Sequence, residues 1–238
     1  MTTHSPSATT TFVDMFRRYR WGVYGAWGAM IVLLVIIEGG AILLEWETSS
    51  LWQGFRWTPQ IVLLVCGVMV ATISTPIYIA HGVTRRTAAI ATALYTAVTV
   101  TLSALIMVAG FVAERGLFNV VGLSQFPDGV DLVASPTAIG ATFVEFALLF
   151  LLYTLAGVTI GIGYYRLGAL WGTVLMVLTS VPLVAAEAWQ WRMSLVSDAL
   201  PVLADDVWAT GALILVVLST VMGALCIAMV RTVEIHNK

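Results

Sequence analysis

Charge is what this chain has least of. Among 238 residues there are 11 Lys or Arg and 13 Asp or Glu, together 10%, where soluble domains carry about 25%. So little charge excludes a water-solvated surface wrapped round a soluble core, and no basic face is present that would hold nucleic acid. The phosphate loop G-x-x-x-x-G-K-[ST] is missing, which removes that device for binding a nucleotide. The three histidines, His4, His81 and His236, are scattered, and with no H-E-x-x-H and no Cys/His cluster no metal is expected. There is no G-x-S-x-G elbow and no Ser/His/Asp set, so no catalytic residue is expected and the chain does not read as an enzyme. The two cysteines, Cys66 and Cys226, lie inside apolar runs and read as small buried residues. The alternating segments of about ten residues that mark a membrane β-barrel are also absent.

Long apolar runs are what the chain does have. It is 60% hydrophobic, and six runs stand out: 22–44, 59–80, 87–113, 138–163, 167–188 and 207–230. Each reaches the roughly 20 residues an α-helix needs to cross the hydrocarbon. The fold expected is an all-α membrane protein: six transmembrane helices preceded by an amphipathic interfacial helix, with both termini cytoplasmic. Residues 1–11, "MTTHSPSATTT", are polar, lack a basic n-region and read as a disordered cytoplasmic tail rather than a signal peptide. Residues 12–230 form one transmembrane domain, and 231–238 a short cytoplasmic tail.

The basic residues orient the spans. With the N-terminus inside, Arg17, Arg18, Arg20, Arg85, Arg86, Arg166, Arg231 and Lys238 are cytoplasmic, and Arg56, Arg115 and Arg192 lie outside. Nine acids, including Glu45, Glu47, Glu114 and Glu187, fall on the outer side. Trp46, Trp52 and Trp57 flank the first outer loop, and Trp189, Trp191 and Trp208 the last, as amphipathic rings at headgroup level do.

Before the first span, "FVDMFRRYR" (12–20) places Phe12, Met15, Phe16 and Tyr19 on one helical face and Asp14, Arg17 and Arg18 on the other. Such a helix is expected to lie flat on the inner leaflet, basic side towards anionic headgroups. Spans four and five are joined by "GIGYYRLG", short enough only for a hairpin. Gly157 and Gly161 close span four at GxxxG spacing, and Gly168 and Gly172 open span five, so these two spans are expected to pack closely. Pro76 and Pro182 are expected to kink spans two and five. The outer segment 189–206 mixes apolar and acidic residues and suits short helices dipping into the outer leaflet. Two acids fall within spans, Glu38 and Glu145; such residues mark a functional site or bond to a neighbouring helix. Thr92, Thr96, Thr99 and Ser103 share one face of span three and read as helix packing in preference to a polar path.

Between spans two and three lies "HGVTRR" (81–86), ahead of a span rich in small residues. This resembles the membrane subunit of type-2 ATP-binding-cassette exporters, in which G-[VI]-[ST]-R-R marks a short coupling helix. Gly82, Val83, Thr84, Arg85 and Arg86 match it, and the turn Tyr164 to Gly168 is similar to the family's as well. The order of a connecting helix, six spans and a part-embedded outer segment fits along nearly the whole chain, although the chain is short for the class and lacks a large outer domain. The resemblance implies that His81 to Arg86 engage separate ATP-binding-cassette ATPase subunits, which carry the ATP and Mg, while this chain carries no cofactor. It implies a second permease chain, identical or related, and a bacterial plasma membrane. It also implies a path lined by spans two and five, with Met69, Thr72, Met176 and Thr179 as candidates, for an amphiphilic substrate: a peptide such as a lantibiotic, a drug or a lipid. The residues also leave open a membrane scaffold or sensor that docks a partner by the same loop, and an ion-coupled secondary carrier using Glu38 and Glu145.

Overall fold

In a computed structural model, residues 7–44, 50–122, 136–190 and 207–231 are described, and their regular structure is entirely helical. Four helices are long and apolar enough to cross a membrane: Ala8–Leu43, Leu51–Ala80, Arg85–Val121 and Ala138–Glu187, with a shorter apolar stretch at Gly211–Ile227. Their outward faces carry large apolar side chains, among them Ile36, Val120, Leu170 and Val184. Surfaces of that kind are stable against lipid and not against water.

The first helix, α1 (Ala8–Leu43), is 36 residues long, about 54 Å at 1.5 Å per residue. It corrects two expectations. Residues 8–11 are helical rather than a disordered tail, because Ser7 caps the helix by accepting the Thr10 N–H at 3.2 Å. Residues 12–20 are not a separate interfacial helix, because no proline or other strong breaker separates them from span one and the backbone runs straight through. The expected faces are right: Met15 and Tyr19 are buried, while Asp14, Arg17 and Arg18 are exposed. What covers the apolar face is protein. Met15 and Tyr19 pack with Val70 and Tyr95, flanked by Phe12, Phe16 and Tyr78. Further along, the same stripe buries Val23, Trp27, Met30, Leu34, Glu38 and Ala41.

Span two is composite. A single turn, α2 (Leu51–Gly54), leads into α3 (Trp57–Met69), a π-helical turn at Val70–Ser74 and α4 (Thr75–Ala80). The expected disturbance at Pro76 takes this form. Proline has no N–H to offer and its ring crowds the carbonyl four residues back. The wider turn absorbs the misfit, with the Thr75 N–H reaching back to the Val70 carbonyl. Span three is α5 (Arg85–Val121), 37 residues, which runs past its expected end at 113 and so takes Glu114 into the helix.

The long α6 (Pro136–Gln190) contains non-helical angles at Gly168 (φ 80°, ψ −178°). There the chain doubles back. The Tyr153 hydroxyl reaches Glu187, 34 residues on, at 3.0 Å, and Tyr164 Oη lies 3.0 Å from Thr173 Oγ1. The two arms, 136–167 and 169–190, are therefore antiparallel, as "GIGYYRLG" predicts. Pro182 lies within the second arm. The last helix is α7 (Val207–Arg231).

Glycine decides two of the packings. A Cβ on Gly172 would stand 2.6 Å from Tyr164 Cδ1, so this glycine sets the spacing of the two arms, as expected. Gly157 and Gly161 serve a different seam. Their Cα atoms face Leu64 and Val68 on α3, and Gly67 faces Thr154 and Val158 in return. The GxxxG at the end of span four thus joins span two, not span five, because the hairpin is already fixed by its short connection. Between these seams lies an aromatic core of Trp27, Trp52, Phe111, Phe146 and Phe150. Trp52 was expected at the headgroups. It is instead buried against Gly110, its indole N–H donating to the Met107 carbonyl at 2.9 Å.

Candidate functional site

The bundle has two chemically distinct ends. One carries Arg17, Arg18, Arg20, Arg85, Arg86 and Arg166, all exposed; the other holds Glu38, Glu114, Glu187 and Arg56, all buried.

At the basic end the chain passes from α4 to α5 in four residues, His81 to Thr84. Gly82 takes φ 84°, and its N–H bonds the Ile79 carbonyl while the Val83 N–H bonds that of Tyr78, both at 3.0 Å. This is the Schellman arrangement, and Val83, the residue after the glycine, is buried. No Cβ at Gly82 would meet any atom within 4 Å, so glycine is needed for its backbone angle alone. The next residue, Thr84, caps α5 by accepting the Thr87 N–H at 3.2 Å. A cap closing one helix and a cap opening the next leave no room for the separate coupling helix that the resemblance implies. Arg85 and Arg86 are the first residues of α5 and are exposed, as are His81, Gly82 and Thr84.

This turn is tied to α1. The Tyr78 hydroxyl donates to Asp14 Oδ2 at 2.6 Å. One helical turn deeper, Tyr19 Oη lies 2.7 Å from Ser74 Oγ and 3.4 Å from the Met69 carbonyl oxygen, both beside the π turn. The start of α1 is thus bonded to the segment 69–78 that leads into the turn His81–Thr84.

At the other end, Glu114 accepts from the Ser50 hydroxyl at 2.6 Å and from the Trp52 N–H at 3.0 Å, and Glu38 on α1 faces it. Arg56, between α2 and α3, pairs with Glu187 on the second arm of α6 at 3.3 Å, and Tyr153 donates to the same carboxylate. Gln60, fully buried, adjoins Glu187.

The remaining candidates do not converge. Met69 and Met176 are exposed on the outside of the chain, Thr72 turns its hydroxyl onto the Val68 carbonyl, and Thr179 is buried with its hydroxyl on the Met176 carbonyl. Glu145 is half-buried. The hydroxyl face of span three packs as expected: Thr96, Thr99 and Ser103 are buried, and Ser103 accepts from the Trp27 indole at 3.3 Å. No metal-ligand group of three or more His, Cys, Asp or Glu occurs among the described residues.

The charge pattern places Glu114, Arg56 and Glu187 on the outer side, and in the fold they form the buried polar end. For Glu114 a signal was present. Continuing the face of Thr96, Thr99 and Ser103 at steps of three and four residues passes through Met107 and Gly110 to Glu114. The Arg56–Glu187 pairing, 131 residues apart, leaves no local trace. The segment 191–206 and residues 1–6 and 232–238 lie outside the described residues, as does Trp46. Comparison with family models, curated proteins and solved structures finds no match.

Proposed function

We propose that this chain is the membrane subunit of an ATP-driven exporter in a bacterial plasma membrane, docking separate ATPase subunits at its basic end. The observation that carries this reading is the turn His81–Thr84. It holds Arg85 and Arg86 exposed at the N-terminus of a 37-residue helix, where the helix dipole opposes positive charge by about 0.3–1 kcal/mol each. A partner surface bearing carboxylates offsets that cost and can take both guanidiniums in bidentate bonds. The turn is doubly capped and pinned to α1 through Asp14 and Tyr78, so a push on it moves packed helices rather than a loop.

Four helices long and apolar enough to cross a membrane support the wider reading. In it, α1, the α2–α4 segment, α5, the two arms of α6 and α7 cross as six spans, and the side holding Arg85, Arg86 and Arg166, with both termini, is cytoplasmic by the basic bias. Met69 and Met176, exposed on spans two and five, suit a path completed by a second permease chain and shaped for an amphiphilic substrate. The ATP and Mg belong to the partner ATPase.

Purification of the full chain from its native membrane in mild detergent tests this. An ATPase subunit is expected to co-purify. Replacing Arg85 and Arg86 together with Glu is expected to abolish ATP-dependent transport and weaken the association, with membrane insertion unchanged. A wild-type chain that purifies alone across several mild detergents overturns the reading.

A further inference from the structure

The carboxylate end holds an acidic pair that the exporter reading does not use. Glu38, near the C-terminus of α1, is 8% exposed, and Glu114 on α5 is 5% exposed. The two face each other across the α1–α5 seam. Their surroundings differ. Glu114 is held by the Ser50 hydroxyl at 2.6 Å and the Trp52 N–H at 3.0 Å, two donors that suit an ionised carboxylate. Glu38 Oε1 is buried with no hydrogen-bond partner. A buried carboxylate oxygen left bare beside a second carboxylate is unfavourable twice over, through lost hydration and through like-charge repulsion. One ligand removes both penalties, a cation placed between the two groups.

The chemistry of the surroundings selects which cation. A calcium ion takes six to eight oxygens and magnesium near-octahedral coordination, and no group of three or more metal-ligating side chains occurs among the described residues. A proton needs only two oxygens. Among the described residues, the charged group that faces Glu38 is Glu114. The α2 turn presents Ser50 and Trp52 and has no ionisable side chain. Arg56, where α3 begins, is engaged by Glu187. Arg115 follows Glu114 on α5, about 100° further round the helix.

We propose that Glu38 and Glu114 form a proton-binding site at the carboxylate end of the bundle, in which the two carboxyls share one proton drawn from the aqueous phase on that side. Binding takes the pair from two negative charges to one, with the Glu38 hydroxyl donating to Glu114. Losing the proton sets two carboxylates against each other where α1, α2 and α5 meet, and so loosens that end. The site is independent of any ATPase partner, so its failure and the failure of the exporter reading are separate results.

The full chain in lipid nanodiscs is treated with dicyclohexylcarbodiimide, which adds to protonated carboxyls in apolar surroundings, over a range of pH, and adducts are located by mass spectrometry. An adduct on Glu38 is expected, falling about tenfold for each pH unit above the midpoint of the site, as the protonated fraction does. In the infrared spectrum, a protonated-carboxyl C=O band of the wild type is expected to vanish in Glu38→Gln and persist in Glu145→Gln. Absence of a Glu38 adduct at every pH, an adduct indifferent to pH, or a band that survives Glu38→Gln overturns the proposal.

Discussion

Replacing Gly157 with Ala adds a single methyl group where α6 and α3 touch backbone to backbone. The new Cβ would overlap the Leu64 carbonyl oxygen and lie 2.9 Å from its carbon and 3.1 Å from Leu64 Cα. These atoms belong to a hydrogen-bonded helix and cannot swing aside as a side chain does, so the helices must separate. A gap of 0.5–1 Å forfeits about a quarter to a half of each dispersion contact along the seam, and forced overpacking costs about 1–3 kcal/mol. Alanine recovers about 0.5–1 kcal/mol as the better helix former. Overpacking wins, and a net loss of about 1–2 kcal/mol is expected. Thermal unfolding of the detergent-solubilised chain, followed by loss of helical circular dichroism, reads this as a Tm lower by on the order of 5 °C. The control is Gly28→Ala on the exposed face of α1, where a Cβ meets nothing within 4 Å; no loss is expected there. If Gly157→Ala is as stable as Gly28→Ala, the close approach of α3 and the first arm of α6 is wrong.

Two other substitutions probe the ends of the bundle. Arg56→Met leaves Glu187 buried and uncompensated, a loss of about 3–5 kcal/mol, whereas the pair Arg56→Met with Glu187→Leu is expected to regain much of it; a double variant no better than the single one in thermal unfolding would show that the 3.3 Å ion pair does not hold that end. At the other end, Gly82→Ala meets no atom but must adopt φ 84°, which costs about 1–2 kcal/mol for an L-residue. The measured loss should match that of Gly82→Leu, whose Cβ is unbranched, within error, because backbone strain and not space sets it, and a much larger loss for Leu would argue for a crowded turn.

Much of this molecule was legible from one sequence. The helical spans follow from apolar length, and the stripe on α1 from a repeat of three and four residues that runs unbroken from Met15 to Ala41. The hairpin follows from the shortness of "GIGYYRLG", and the tight turn after span two from the glycine at 82. What escaped was continuity and partnership. The change of polarity at Trp21 sets residues 12–20 apart from span one in the sequence, yet the helix runs unbroken from Ala8 to Leu43. The usual habit of indoles puts Trp52 at the headgroups, whereas the absence of a side chain at Gly110 opens a seat for it in the core.

The sequence alone determined which residues share a helical face, where the chain turns, and that positive charge gathers at one end. These are local matters, governed by backbone angles, hydrogen bonds within four residues and the solvent each segment tolerates. Only the tertiary structure decided which faces meet. It set Gly157 and Gly161 against α3, brought Arg56 to Glu187 across 131 residues, and turned Glu38 towards Glu114. Each of those pairings depends on how whole helices cross and slide against one another, and lipid, as apolar as the helices themselves, gives no residue a preference among neighbours until close packing and buried hydrogen bonds are formed.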